Sequence, residues 1–254
     1  MWRALRIAVL SLVLLAALGV TWGDRFRTTR WSEPLWVGIF PLSADGRPAT
    51  AAYIKGLDTA RFAEIETFFG EEARRYGLAI ERPLRLELHE PVAELPPAIE
   101  PGTGVAGTML WSLKLRWYAW RMGRGKLGDV RMFVLFHDPA VAARVPHSVG
   151  LQRGLVGVVH AYADPGQDGP NNIVIAHEFL HTVGATDKYD PRTLQPLYPE
   201  GYGEPDAERR HPQGFAEIMA GRRAVTADEA EMPADLGGVL IGPVTAAEIN
   251  WIGR

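Results

Sequence analysis

The chain has 254 residues, 47% of them hydrophobic, which is enough apolar material for one well-buried domain of about 200 residues. A formal charge of −3 and a pI near 6.2 exclude a global attraction to polyanions, so nucleic acid is not an expected partner. The absence of cysteine excludes disulfides, thiolate nucleophiles and cysteine-ligated zinc, leaving His, Asp and Glu as the strong metal ligands available.

At the amino terminus, Arg3 and Arg6 precede an apolar run from Ile7 to Val20, the layout of a secretory n-region and h-region. The run is short for a transmembrane helix, which needs roughly 20 residues. Residues 1–30 are therefore expected to be a signal peptide cleaved near Ala17-Leu18-Gly19, or an uncleaved membrane anchor with a short connector. Either way the protein is exported: secreted, or held at a membrane facing the periplasm or exterior. Residues 31–254 are expected to form the folded domain.

Within that domain, Leu35 to Phe40 reads as a strand, closed by Pro41 and a turn over Ser43 to Gly46. A long helix follows, with Asp58 as N-cap, Phe62, Ile65, Phe69 and Tyr76 at helical spacing, and Gly77 as its stop. Leu84, Leu86 and Leu88 alternate with charged residues as in a half-buried strand, and a Pro-rich loop through Pro91, Pro96, Pro97 and Pro101 comes next. Leu110, Leu113, Trp117 and Trp120 then fall on one helix face, with Lys114, Arg116 and Arg121 on others. Such a mixture can mark a nucleic-acid or membrane surface, but the expected arrangement is an aromatic stripe packed on the core with a solvated basic side. Met132 to Phe136 suits a central strand, and Leu155 to Tyr162 reads as another.

The chemistry is carried by His177-Glu178-Phe179-Leu180-His181-Thr182-Val183-Gly184-Ala185-Thr186-Asp187. On a helix, His177 and His181 project from one face and both imidazoles reach a single ion. Glu178 lies beside that face, placed to take a proton from water at the metal without being a ligand itself. Pro170, Asn171 and Asn172 supply a helix start, and Ile173, Val174, Ile175, Ala176, Phe179, Leu180 and Val183 surround the axis with apolar groups, so the helix is buried. Two histidines and a glutamate inside such a helix are costly to desolvate unless a cation partners them. Gly184 suits a left-handed C-terminal position, and the reversal it permits brings Asp187 back as a third ligand.

This stretch resembles the extended motif of the metzincin metallopeptidases, His-Glu-x-x-His-x-x-Gly-x-x-His, with Asp187 replacing the last histidine as in the snapalysin-type members. The resemblance implies an α/β (α+β) fold: a twisted mixed sheet with a long backing helix, a buried active-site helix, a Met-turn and a short C-terminal helix. It implies one catalytic zinc ion and a protein or peptide substrate. It also implies a Met-turn methionine, assigned to Met219 in preference to Met232, and a closing helix over Pro243–Gly253 with Thr245 as cap and Ile249 and Ile252 facing inward. In such enzymes the strand before the active-site helix is an edge that pairs with substrate, a place taken here by the segment carrying Val158 and His160. Tyr189, two residues past the third ligand, is a candidate to stabilise an oxyanion or to support the ligand loop.

Asp164, Asp168 and Asn171 are a weaker candidate for calcium, since their loop lacks a defined calcium pattern. Two rival readings accompany the peptidase: a zinc-binding peptide-recognition protein without turnover, and a hydrolase whose third ligand is a later glutamate such as Glu248. No feature of the sequence sets an oligomeric state.

Overall fold

The structure, a computed structural model, describes residue 6 and residues 30–100, 102–123, 128–152 and 154–253. The expected signal or anchor segment lies outside these residues save for Arg6 and Arg30. Among the described residues no helix is long and apolar enough to cross a membrane.

A mixed five-stranded sheet is built from β1 (Leu35–Ser43), β2 (Leu84–Leu88), β3 (Val130–His137), β4 (Val149–Leu151) and β5 (Val156–Tyr162), in the order β2-β1-β3-β5-β4. All neighbours are parallel except β4, which runs antiparallel to β5 at the edge. The helices are α1 (Pro48–Lys55), α2 (Ala63–Arg75), α3 (Val105–Met122), α4 (Asp168–Val183) and α5 (Pro243–Glu248). The expected long helix is thus a 3-10 turn over Thr59–Phe62 leading into α2. Asp58 caps it by accepting from the Arg61 amide, and Gly77 ends it at φ +72°.

β1 continues through Pro41, where the sequence suggested a stop. The Pro41 carbonyl accepts from the Val92 amide at 3.0 Å on the side facing β2, and β2 already ends opposite Ile39. A residue's amide and carbonyl share one side of a strand, so the missing N–H falls where no ladder partner requires it.

Chain direction decides which helices cover which face. The step from β1 to β2 moves one way across the sheet, and the step from β2 to β3 moves back past β1. Right-handed crossovers therefore put the intervening helices on opposite faces. Accordingly α2 packs with α4 against Val37, Ile39, Met132, Val134, Val159 and neighbouring residues. On the other face α3 presents Trp111, Leu115, Tyr118 and Ala119 to Phe40, Leu42, Phe133, Leu135, Val156 and Val158. With both faces covered, β3 holds an unbroken apolar run from Met132 to Phe136, and burying each Leu or Phe contributes about 1.5–3 kcal/mol. The Pro-rich loop is held to α3 by Trp111 Nε1 donating to Pro97 O at 2.7 Å and by Tyr118 OH donating to Glu94 O at 2.5 Å.

Two expectations are corrected here. The stripe Leu110, Leu113, Trp117 and Trp120 faces solvent, and the core contact comes from the helix face bearing Trp111, Leu115 and Tyr118. The strand carrying Val158 and His160 is not an edge at Val158, where β3 and β4 pair with it on its two sides; at His160, past the end of β4, the amide donates instead to Ser148 Oγ. The edge is β4, whose Gly150 lies so close to α4 that a Cβ there would come within 2.2 Å of the Glu178 carbonyl.

Candidate metal centre

α4 begins at Asp168, after a 3-10 turn over Pro165–Gln167 that Asp164 caps by accepting from the Gly166 amide. Its start is pinned from outside: Asp168 accepts from Tyr53 OH and from Arg61, both at 2.6 Å. Asn171 exchanges two hydrogen bonds with the Tyr162 backbone, and Asn172 donates to Arg61 O. The side chains of Asp164, Asp168 and Asn171 are thus committed to separate structural bonds, and the calcium reading is withdrawn.

One helical turn apart, His177 and His181 turn their Nε2 atoms toward each other at 3.1 Å. Their Nδ1 atoms lie 2.9 Å from Ile218 O and Ala185 O respectively. A backbone carbonyl can only accept, so Nδ1 carries a proton and each Nε2 is the ring atom left to act as a ligand at the shared point, the arrangement usual for metal-ligating histidines. Gly184 adopts φ +115°, and the amides of Gly184 and Ala185 close the helix onto Leu180 O at 3.1 and 3.0 Å. Past this reversal, Asp187 Oδ1 lies 3.2 Å from His177 Nε2 and 3.1 Å from His181 Nε2.

The three atoms form a nearly equilateral triangle. Tetrahedral ligands about 2.0–2.1 Å from zinc lie about 3.3 Å from one another, so this donor set fits that ion with little adjustment. Glu178 also belongs to the cluster: it offers an atom within 4.8 Å of both imidazoles. It is the more distant carboxylate, and its Oε2 is buried without a hydrogen-bond partner among the described residues.

The electrostatics agree that the cluster asks for positive charge. Burial opposes charge on His177, yet Asp187, Glu178 and the Ile218 carbonyl together raise its pKa to about 9. Burial likewise works against the Asp187 anion, but the two imidazoles hold its carboxyl well below the usual range. Burial pushes the Glu178 carboxyl up, countered in part by the charges of His177 and His181.

Support for the Asp187 loop comes from Lys188, which the sequence did not single out, and from Glu248 in a role other than the one it suggested. Lys188 is buried, donates through its amide to Met219 O at 2.9 Å, and through Nζ to Glu248 at 2.8 Å and to Thr186 O at 2.9 Å. Glu248 also accepts from the Thr186 amide and hydroxyl. Its carboxylate is therefore spent on Thr186 and Lys188, and the reading that made Glu248 a third ligand is dropped.

Met219 is buried in a turn closed by the amides of Ala220 and Gly221 onto Glu217 O, both at 3.0 Å, with Gly221 at φ +67°. The adjoining Ile218 carbonyl is the one that meets His177. Fully buried Glu217 organises this turn. It accepts from the amides of Met219, Ala220 and Gly242, at 2.6, 3.0 and 3.1 Å, and from Thr245 Oγ1 at 2.7 Å. Thr245 is thus inside α5 tying it to the turn, and the N-cap is Gly242 with Pro243 at the first helical position. No local signal marks Glu217, since its partners lie up to 28 residues away. Glu217→Ala strands three buried donors, the amides of Met219 and Gly242 and the Thr245 hydroxyl, at about 1–3 kcal/mol each, while the Ala220 amide keeps Glu217 O, so we expect a stability loss of at least about 3 kcal/mol in denaturant melts. A loss under about 1 kcal/mol would show that the turn does not depend on it.

Beside the triangle opens a cleft of about 300 Å³ lined by His147, Ser148, His160, Glu178, Tyr189 and Met232 among others. Tyr189 lies with its ring 6.5 Å from that of His177. His160 bonds His137 across the strands at 2.9 Å, and burial, aided by His137, lowers its pKa to about 4, so it is a neutral imidazole at the cleft wall. It lies outside the triangle.

No family model matches the chain, and no curated protein matches it in sequence. Solved structures overlap it loosely. Wild-type OgpA from Akkermansia muciniphila has a TM-score of 0.40 at 14% identity, over 85% of this chain and 59% of its own. Catalytically inactive OgpA in complex with an O-glycopeptide (glycodrosocin) substrate has 0.34 at 12%, over 85% and 58%. A chain from a chaperone–substrate complex has 0.39 at 11%, over 85% and 33%. The chain thus spans a third to three fifths of the length of these structures, and overlap at this level carries no functional argument.

Proposed function

We propose that the protein is a zinc-dependent peptidase in which His177, His181 and Asp187 hold the ion and Glu178 is the general base. The observation that carries this reading is the triangle of donors set beside a buried carboxylate oxygen with no partner. A zinc ion held there supplies Lewis-acid chemistry, polarising a carbonyl and acidifying water. Glu178 would take the proton that attack on the scissile carbonyl releases and return it to the departing amine. The Nδ1 bonds to Ile218 and Ala185 fix the two imidazoles, and the Lys188–Glu248 pair fixes the loop from which Asp187 reaches them. Tyr189 places a phenol at the cleft where negative charge develops on the carbonyl oxygen. The outer side of β4 offers an edge for an extended peptide. A site serving structure alone has no use for a carboxylate that keeps one buried oxygen without a partner, which is why turnover is favoured over recognition. Digestion of a peptide library with and without a chelator tests the activity: cleavage that stops on chelation and returns with zinc is expected, and zinc binding without any cleavage would favour the recognition reading.

The same cluster predicts opposite pH dependences with and without metal. His177 is raised from 6.5 to about 9 in the folded, metal-free chain. Its contribution to stability is therefore complete below about pH 6.5 and lost as pH rises through about 9. Asp187, being depressed, contributes throughout this range and loses its effect only in strong acid. Metal uptake competes with the histidine protons and so strengthens with rising pH. Thermal melts from pH 6.5 to 9 are expected to fall for the stripped protein while the stabilisation conferred by zinc grows. A stripped protein whose melting temperature rises across that range would contradict the assignment.

A further inference from the structure

The outer face of α3 has no role in the peptidase reading, and it leaves a row of large apolar side chains in water. Val105, Met109, Leu113, Trp117 and Trp120 recur every three or four residues and are 81, 65, 59, 59 and 56% exposed. Leu110 belongs to the same stripe. The helix spans about 27 Å at 1.5 Å per residue, so the stripe runs its whole length. A continuous apolar strip of this kind on a folded domain marks a surface that is covered in use.

Charge indicates what covers it. From Gly104 to Gly128 the sequence holds five basic residues, Lys114, Arg116, Arg121, Arg124 and Lys126, and no acidic one, within a chain of net charge −3. Arg121 stacks over Trp117 at 4.8 Å and pairs with Glu94 from the adjoining loop. Lys114 projects beside the stripe, exposed. A second copy meeting this helix about a two-fold axis would set its basic residues against their own images, which electrostatic complementarity disfavours. The apolar run Ile7 to Val20 is itself flanked by Arg3, Arg6, Arg25 and Arg27 and would meet the same repulsion. Tryptophans with aliphatic residues on one face and Lys and Arg around them are the composition of a helix lying in the headgroup zone of a bilayer.

We infer that α3 docks its outer face on the surface of an anionic phospholipid bilayer. If the run Ile7 to Val20 is the anchoring segment, residues 21–29 connect it to the domain. Nine extended residues reach about 30 Å, which keeps the domain within contact of that bilayer. Since α3 and α4 lie on opposite faces of the sheet, a domain seated on α3 turns its catalytic helix away from the lipid.

The absence of cysteine makes the test direct, because one introduced thiol is the sole labelling site. Full-length Leu113→Cys, carrying an environment-sensitive fluorophore, is reconstituted in phosphatidylcholine vesicles with and without phosphatidylglycerol. Arg192→Cys, at a side chain 88% exposed, serves as control. In the anionic vesicles the label at 113 is expected to shift to the blue and to be quenched by lipid-borne nitroxide, while the control stays open to an aqueous quencher. Adding Lys114→Glu and Trp117→Ser should lower the lipid-quenched fraction at least twofold with an unchanged circular dichroism spectrum. A label at 113 that remains open to aqueous quencher overturns the inference. So does one shielded from water yet out of reach of lipid nitroxide, because protein then covers the face.

Discussion

Glu178→Gln is expected to lower peptide hydrolysis by about 10²–10⁴-fold, the span general acid–base groups supply, while zinc content and melting behaviour stay near those of the unaltered chain. The amide has the carboxylate's shape and removes only its ability to accept and return a proton. The fold has little to lose, because Glu178 Oε2 makes no hydrogen bond among the described residues and the amide oxygen of glutamine can still accept from the Gly150 amide. The backbone of residue 178, which β4 abuts through Gly150, is untouched by the change. Turnover within about tenfold of the original would remove Glu178 from the chemistry and leave the triangle without its base.

Asp187→Ala is expected to weaken zinc binding by more than about 100-fold, beyond the 10–100-fold that loss of an outer supporting group costs. The carboxylate is 3.1–3.2 Å from both Nε2 atoms. Glu248→Ala is the paired measurement. Glu248 binds Thr186 and Lys188 and holds the loop without touching the triangle, so its loss should weaken zinc binding within that 10–100-fold range and leave one ion per chain at saturation. Buried Lys188 then lacks its partner, and a fall in stability accompanies the change. The opposite pattern, with zinc retained in Asp187→Ala and lost in Glu248→Ala, would restore the later glutamate as third ligand.

These expectations were largely readable from residues close together in the chain. His177, Glu178, His181, Gly184 and Asp187 lie within 11 consecutive positions, and helical spacing plus one left-handed glycine is enough to bring them together. β3 was legible because burial on both faces leaves an uninterrupted apolar run. What escaped the sequence depends on pairing across long separations. β4 is three residues long, and it becomes the edge only through its antiparallel register with β5. Glu217 resembles any surface acid until Gly242 and Thr245 close over it. On α3 both Trp111-Leu115-Tyr118 and Leu113-Trp117-Trp120 are apolar rows, so periodicity could not choose between them. The hand of the β2-to-β3 crossover fixes the sheet face that α3 covers, and the row bearing Trp111 makes the contact.

The X-ray absorption spectrum of the zinc-loaded chain tests the centre most directly. The account predicts one ion per chain with light-atom ligands at about 2.0–2.1 Å and the outer-shell scattering of two imidazole rings, lost in a His177→Ala and His181→Ala double variant. A spectrum with no imidazole scattering, or one unchanged in that double variant, would contradict it.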